Sequence, residues 1–442
     1  MASPQRQRAS AWACSSMTQH VILGAGPAGV IAAETLRKHA PHDSITLVGD
    51  EAEPPYSRMA IPYLLMGNID ESGTYLRKSK THLVDLRITQ VCGRAERLDT
   101  AAKTVTLSNG QTLPFDKLLI ATGSRPVRPP IPGIDSAGIY PCWTLDDARH
   151  IMALAKPGSQ VLQMGAGFIG CIIMEALASR GVQLSVVEMG DRMVPRMMGA
   201  TAGGMIKDWC VSKGVQVYTG TRVDAIESAS NGLTVRLSNG QQVHADLVIS
   251  ATGVKPAIAF LDGSGVACEQ GVLTDAFLQT NIPGIYAAGD CAQAFDKVSG
   301  QSVVSAIQPN AAEQARVAAL NMLGSAAQLK GVTQINVLDT LGMISTSFGQ
   351  WQGAEGGEHT EVTDKAAGKH LSLQFKGDVM VGCNSVGWTD HVGVMRGLVE
   401  GQVKLGEWKD TLLHDPTLLM QAYLAKAQGQ SQWLGAHDAR RR

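Results

Sequence analysis

The chain has 442 residues, a formal net charge of −1, 17% charged and 44% hydrophobic residues. That length exceeds one compact domain and suffices for two or three with full cores, and the composition excludes an intrinsically disordered chain. The near-neutral charge excludes a global field that would draw nucleic acid or an anionic membrane.

Residues 1–17 are small and polar, with Arg6 and Arg8 but no apolar core. They fit neither a secretory signal nor a transit peptide, and are expected to form an N-terminal extension with Met17 as the true start. The eight cysteines (14, 92, 142, 171, 210, 268, 291 and 383) show no C-x-x-C and no zinc or disulfide spacing, so they read as reduced thiols of a cytoplasmic protein. No apolar run reaches the length of an integral membrane segment.

The first element is a strand at Val21-Ile22-Leu23, followed by Gly24-Ala25-Gly26-Pro27-Ala28-Gly29, the helix "VIAAETLRKHA" and a second strand ending at Asp50. This is a complete βαβ dinucleotide fingerprint. Its first glycine permits a tight turn, the second lets the backbone approach a pyrophosphate, and the third packs helix on strand. The helix N-terminus adds partial positive charge, and Asp50 is placed to accept from ribose hydroxyls. Downstream lies "PPYSRMAIPY", residues 54–63, a segment suited to lie against something flat yet without cysteine or lysine.

The fingerprint recurs 141 residues later: strand "QVLQM", Gly165-Ala166-Gly167-Phe168-Ile169-Gly170, a helix, and a strand ending at Glu188. Two dinucleotides are implied. A carboxylate at Glu188 accepts from a ribose 2′-hydroxyl and repels a 2′-phosphate, which predicts NADH over NADPH. Arg192 and Arg196 read as solvated loop charges. Two further segments echo each other, "FDKLLIATGSRP" at 115–126 and "ADLVISATGVKP" at 245–256, as exits between domains. "NIPGIYAAGDCA" at 281–292 then sets Asp290 after a strand and a glycine, ahead of a helical run from 309. The last region, 326–442, alternates apolar residues in strands before turning helical beyond Asp415-Pro416.

In order and spacing these motifs resemble the flavoprotein NAD(P)H reductases with two dinucleotide-binding domains. That group includes rubredoxin and ferredoxin reductases, the flavin part of nitrite reductases, coenzyme A disulfide reductases and NADH oxidases. The resemblance implies an α/β fold: two Rossmann-like domains in a glutathione-reductase-like architecture plus a C-terminal α+β interface domain. It implies an FAD domain in two segments (18–125 and 250–325), an NAD domain (126–249), and an interface domain (326–442) through which a homodimer could form. Residue by residue it puts Gly24, Gly26, Ala28 and Gly29 at the FAD pyrophosphate, Asp50 at the adenosine ribose and Arg58 beside the adenosine end. Ala95 would meet the adenine, Ala121-Thr122-Gly123 would run past the FAD, and Asp290 would take the ribitol. Gly165, Gly167, Ile169, Gly170, Glu188 and Gly253 would line NAD.

Met59 stands where thiol-using relatives carry a redox cysteine. A thioether forms no thiolate or mixed disulfide, so relay chemistry through that position is closed. Tyr63 and Ile172 stand where other relatives place a lysine and its paired glutamate. No acid, base or nucleophile is assigned to catalysis; Met59, Tyr63 and Cys171 are expected as flavin neighbours, and Cys171, Cys291, Trp388 and His391 as packing residues. The expected activity is FAD-dependent NADH:acceptor oxidoreduction, with hydride passing from NADH to flavin N5 and on to a ferredoxin-like, rubredoxin-like or other iron–sulfur partner. Reduction of a quinone or another small molecule is a second reading, and a redox-sensing interaction protein that binds FAD and NADH is a third.

Overall fold

The computed structural model describes residues 17–431. Residues 1–16 of the expected extension and the arginine tail at 440–442 lie outside them.

Five strands form the first sheet, all parallel, in the order Ile285–Ala287, Lys117–Ile120, Gln19–Leu23, Ser44–Gly49, Thr89–Cys92. The chain's first strand is central, so the direction of winding reverses at its carboxyl end, where open α/β sheets hold their ligands. Helices Pro27–His39 and Gln308–Met322 cover one face and bury Ile22, Leu36, Leu47 and Leu119 between sheet and helix. Each such side chain stabilises the fold by about 1.5–3 kcal/mol relative to exposure.

The second sheet repeats the plan. Its parallel order is Gln216–Tyr218, Gln183–Val187, Gln160–Met164, Leu247–Ser250, Ile139–Tyr140. In each half a three-stranded antiparallel meander precedes the strand that ends in Ala-Thr-Gly: Ala95–Asp99, Thr104–Leu107 and Thr112–Pro114 in the first, Val223–Ala229, Gly232–Leu237 and Gln242–Ala245 in the second. The two echoing exits pair with each other. Strands Ser124–Pro126 and Val254–Pro256 run antiparallel, with Lys255 opposite Arg125, and form a two-stranded ribbon between the sheets.

The C-terminal part is a five-stranded antiparallel sheet in the order Ile335–Thr340, Met343–Gly349, Val379–Val386, Lys369–Lys376, Glu358–Asp364. Helices Val392–Gly401, Glu407–His414 and Leu419–Ser431 follow it, the last entered through Asp415, whose carboxylate accepts from the Thr417 N–H at 3.0 Å. Its other face meets the second sheet's helices. The Asn384 side chain accepts from Gly199 N–H and donates to the Met197 carbonyl, both at 2.9 Å, and the Trp209 indole donates to the Leu341 carbonyl at 3.1 Å. The fold is therefore α/β with two Rossmann-like cores and a C-terminal antiparallel domain, as the sequence implied.

Candidate active site

The two glycine fingerprints have matching geometry. Gly24 (φ +112°) and Gly165 (φ +95°) turn the chain in a region that side-chain-bearing residues avoid, and a Cβ on either would lie 2.0 or 2.3 Å from the carbonyl oxygen of Ala121 or Ala251. A Cβ on Gly29 would lie 1.8 Å from the Gly24 oxygen, and one on Gly170 would lie 2.5 Å from the Gly165 oxygen, so each third glycine fixes helix against turn. Gly26 and Gly167 differ in kind. Both cap their helix at φ −77°, ψ −171°, and a Cβ on either meets no atom within 4 Å. Steric fit within the chain does not demand glycine there, whereas close approach of a pyrophosphate to a helix N-terminus does.

The first fingerprint opens on two adjoining chambers that share Gly24, Asp50 and Thr122. One chamber, about 250 Å³, runs from Gly26 and Ala28 past Asp290 and Arg58 to Met59, Pro62, Phe168, Ile169 and Ile172. The other, about 590 Å³, is lined by Arg94, Ala95, Arg125 and Lys255. Charges along the cleft are largely matched. Arg58 donates to Glu51 at 2.5 Å, to the Tyr56 hydroxyl at 2.9 Å and to the Trp143 carbonyl at 2.7 Å. Arg149 spans Glu53 and Glu71 at 2.9 and 2.8 Å, and Arg125 pairs with Asp50. Among the described residues no cation is in contact with Asp290. Burial raises its pKa above the ordinary carboxylate value, opposed by the Ser124 hydroxyl that donates to it at 3.0 Å and by the field of Arg58.

In the second fingerprint both oxygens of Glu188 are oriented by backbone, accepting from Ala166 and Gly190 N–H at 2.7 Å each. Gly253 (φ +110°) closes the adjoining turn, its carbonyl accepting from Val127 N–H at 2.8 Å. The same bond recurs in the first half, where the Gly123 carbonyl accepts from Ala257 N–H at 2.9 Å.

The structure brings together Gly24, Gly26, Ala28, Asp50, Arg58, Met59, Ala121, Thr122, Gly123, Ile169 and Asp290 on one cleft, with Ala95 in the adjoining chamber. Three of the expected residues have surroundings of their own. Arg58 lies in the chamber with Met59 rather than with Ala95, because its guanidinium is tied to Glu51, Tyr56 and Trp143. Tyr63 does not line the cleft; it is 55% exposed, one residue beyond Pro62 on a helical turn that rotates it outward. Cys171 is fully buried within the core, 3.7 Å from the Ala166 carbonyl, with burial pushing its thiol pKa well up. Cys291 packs likewise against the Ile120 and Ala288 carbonyls, and Trp388 against the C-terminal core.

Sequence reasoning missed Cys142, Trp143 and Phe168, all of which line the cleft. The capping box formed by Thr144 and Asp147 marked a helix start directly after Cys142 and Trp143, and the all-apolar start of "FIGCIIM" marked a helix with no solvent face. Burial pushes the Cys142 thiol up to about 12, so it is neutral near pH 7. Among the described residues no cluster of His, Cys, Asp or Glu is suited to a metal ion, and no helix is long and apolar enough to cross a membrane.

Two nucleotide cradles on parallel sheets, the first opening on a cleft that the second one's helix also lines, define an FAD-dependent NAD(P)H oxidoreductase. The chain belongs to the pyridine nucleotide-disulphide oxidoreductase family, whose model matches residues 18–316. It is 31% identical over 402 residues to the NADH-dependent phenylglyoxylate dehydrogenase subunit epsilon of Aromatoleum evansii, covering 90% of this chain and 95% of that protein. It is 31% identical over 315 residues to rhodocoxin reductase of Rhodococcus erythropolis, covering 71% and 74%. In fold it resembles the covalent putidaredoxin reductase–putidaredoxin complex, with a TM-score of 0.84 over 92% of this chain and 98% of that chain at 23% identity.

Proposed function

We propose that the chain takes hydride from NADH onto FAD and passes electrons to an iron–sulfur protein. One observation carries the reading: the cleft offers no thiolate. Met59 stands where the resemblance puts a redox cysteine in thiol-using relatives, and Cys142, the one thiol lining the cleft among the described residues, is buried and held neutral. The flavin is then the last redox group in the chain, and a flavin can release electrons singly to a one-electron carrier. The relatives named as a subunit of an NADH-dependent dehydrogenase and as a reductase of rhodocoxin support an acceptor that is itself a protein.

In this reading Gly26 and the N-terminus of helix Pro27–His39 hold the FAD pyrophosphate, with Gly24, Ala28 and Gly29 shaping the turn. Asp50 takes the adenosine ribose and Ala95 the adenine, Ala121-Thr122-Gly123 flank the cofactor, and Asp290 accepts from the ribitol. Gly165, Gly167, Ile169, Gly170 and Gly253 line NADH, and Glu188 selects it over NADPH by facing the ribose 2′-position with a carboxylate. FAD, when bound, supplies the hydride and electron chemistry; the chain's own residues orient the two rings and exclude water. Residues 18–125 with 250–325 form the FAD domain, 126–249 the NAD domain and 326–442 an interface domain that supports a homodimer.

The test is anaerobic mixing of the FAD-loaded protein with NADH or NADPH, then with oxygen, a soluble quinone, a disulfide or reducible iron–sulfur proteins. Fast flavin reduction by NADH and fastest reoxidation by an iron–sulfur protein are expected. Fastest reoxidation by quinone or disulfide would overturn the choice of acceptor, and equal rates with NADPH would overturn the role of Glu188.

A further inference from the structure

The hairpin of strands Ile335–Thr340 and Met343–Gly349 closes on Leu341 and Gly342, both at positive φ, +53° and +87°. Such two-residue turns favour asparagine or aspartate ahead of glycine, and leucine is a costly occupant of the left-handed region. Each group of Leu341 is nevertheless claimed by the half of the molecule that carries the second fingerprint. Its N–H donates to the Glu175 carboxylate on helix Phe168–Ser179, and its carbonyl accepts from the Trp209 indole on helix Ala200–Ser212 at 3.1 Å. Its side chain packs on the apolar cluster that holds Cys171, Met174 and Ile206 of the same two helices, together with Ile61 and Cys142 of the cleft wall. Among the described residues the Glu175 carboxylate has no cation partner; burial raises its pKa and the Leu341 N–H opposes that rise.

Helix Phe168–Ser179 serves three neighbours. Its N-terminus belongs to the second nucleotide cradle, Phe168, Ile169, Ile172 and Ile173 line the cleft, and Glu175, one turn further on, meets the hairpin tip. Among the described residues none of the C-terminal domain lines either chamber. Resting on the FAD and NADH reading of the two cradles, we propose that Leu341, Glu175 and Trp209 are positioning residues. The hairpin tip is a wedge that sets the distance of this helix, and with it the bound NADH, from the flavin. In that reading the NADH contacts at Gly165, Gly167 and Glu188 belong to the second half and travel with the helix, whereas FAD belongs to the first. A shifted wedge therefore leaves NADH affinity intact and slows hydride transfer, for which a misplacement of about 1 Å can cost about 10²-fold.

The experiment follows flavin bleaching of the FAD-loaded full chain by NADH in an anaerobic stopped-flow instrument. NAD⁺ affinity is measured by isothermal titration calorimetry and Tm by circular dichroism on the same samples. Glu175→Leu should lower the limiting rate at saturating NADH at least about tenfold and shift the NAD⁺ Kd by less than about threefold. Glu175→Gln, whose amide oxygen still accepts from the Leu341 N–H, should bring the rate back to within about twofold of wild type. Leu341→Gly is an independent second variant, because glycine adopts φ +53° without strain while the packing side chain is lost; it should lower the limiting rate in the same way. An unchanged limiting rate in either Glu175→Leu or Leu341→Gly would overturn the proposal, whatever happens to Tm. So would equal losses in Glu175→Leu and Glu175→Gln, or a rise in NAD⁺ Kd in proportion to the fall in rate. A wild-type chain that binds no FAD, or whose FAD is not reduced by NADH, would instead overturn the underlying reading.

Discussion

Gly167→Ala separates binding of the nicotinamide cofactor from folding. Gly167 sits at φ −77°, ψ −171°, which alanine adopts freely, and its Cβ would meet no atom within 4 Å. The folded protein therefore tolerates the methyl, and the gain of about 0.4–1 kcal/mol from lost freedom in the unfolded state is offset by alanine's weaker N-cap preference. The same methyl fills the space through which a pyrophosphate would approach the N-terminus of helix Phe168–Ser179. Hydrogen bonds from backbone N–H to a charged group contribute about 1.5–3 kcal/mol each, so loss of two at the low end costs about 3 kcal/mol and raises the NADH Kd about 100-fold. The assay is the NADH concentration dependence of anaerobic flavin reduction, with FAD content and thermal unfolding measured on the same sample. Weakened NADH binding, full FAD content and a nearly unchanged Tm are expected. Unchanged NADH dependence, or loss of FAD in place of NADH, would refute the reasoning. Gly170→Ala provides the contrast, because its Cβ would lie 2.5 Å from the Gly165 oxygen and the fold itself must give way.

Gly26→Ala should mirror this result at the first site, yielding folded protein that lacks FAD, measured by absorbance and circular dichroism. Met59→Cys should place a thiol in the cleft and confer disulfide reduction that an alkylating reagent abolishes; no such gain would remove Met59 from the flavin's vicinity. In the native state a thiol reagent should modify Cys92 and Cys268, which are exposed, well before the buried Cys142, Cys171, Cys210, Cys291 and Cys383, as read by mass spectrometry. Burial holds His20 and His370 below the ordinary histidine pKa, so as pH falls through about 6.5 the unfolded chain takes up these protons first. The stability these groups contribute above that pH is then lost below it; Tm should drop from about pH 7 to pH 5, and less so in His20→Gln.

The parts legible in the sequence are those fixed by local sterics. Gly24, Gly29, Gly165 and Gly170 are demanded by backbone atoms within a few ångströms, so their spacing announced both cradles. The echo between residues 115–126 and 245–256 was visible, yet their pairing as a ribbon was not, because Arg125 and Lys255 are far apart in the chain and are brought opposite each other by tertiary structure alone. The surroundings of Tyr63 and Cys171 were hidden for a different reason. Each adjoins a residue that does line the cleft, Pro62 and Ile172, and a single step along a helix turns a side chain by about 100°. Trp143 and Cys142 reach the cleft from a loop held by the Thr144–Asp147 cap and by the bond from Arg58 to the Trp143 carbonyl, a contact across 85 residues that no linear spacing records.

The most direct test of the central claim is anaerobic titration of the purified protein with NADH while its visible spectrum is followed. The proposed function predicts one FAD per chain, bleached stoichiometrically by NADH and recoloured when an oxidised iron–sulfur protein is added. A protein that binds no flavin after reconstitution with FAD, or a bound flavin that NADH does not reduce, would contradict it.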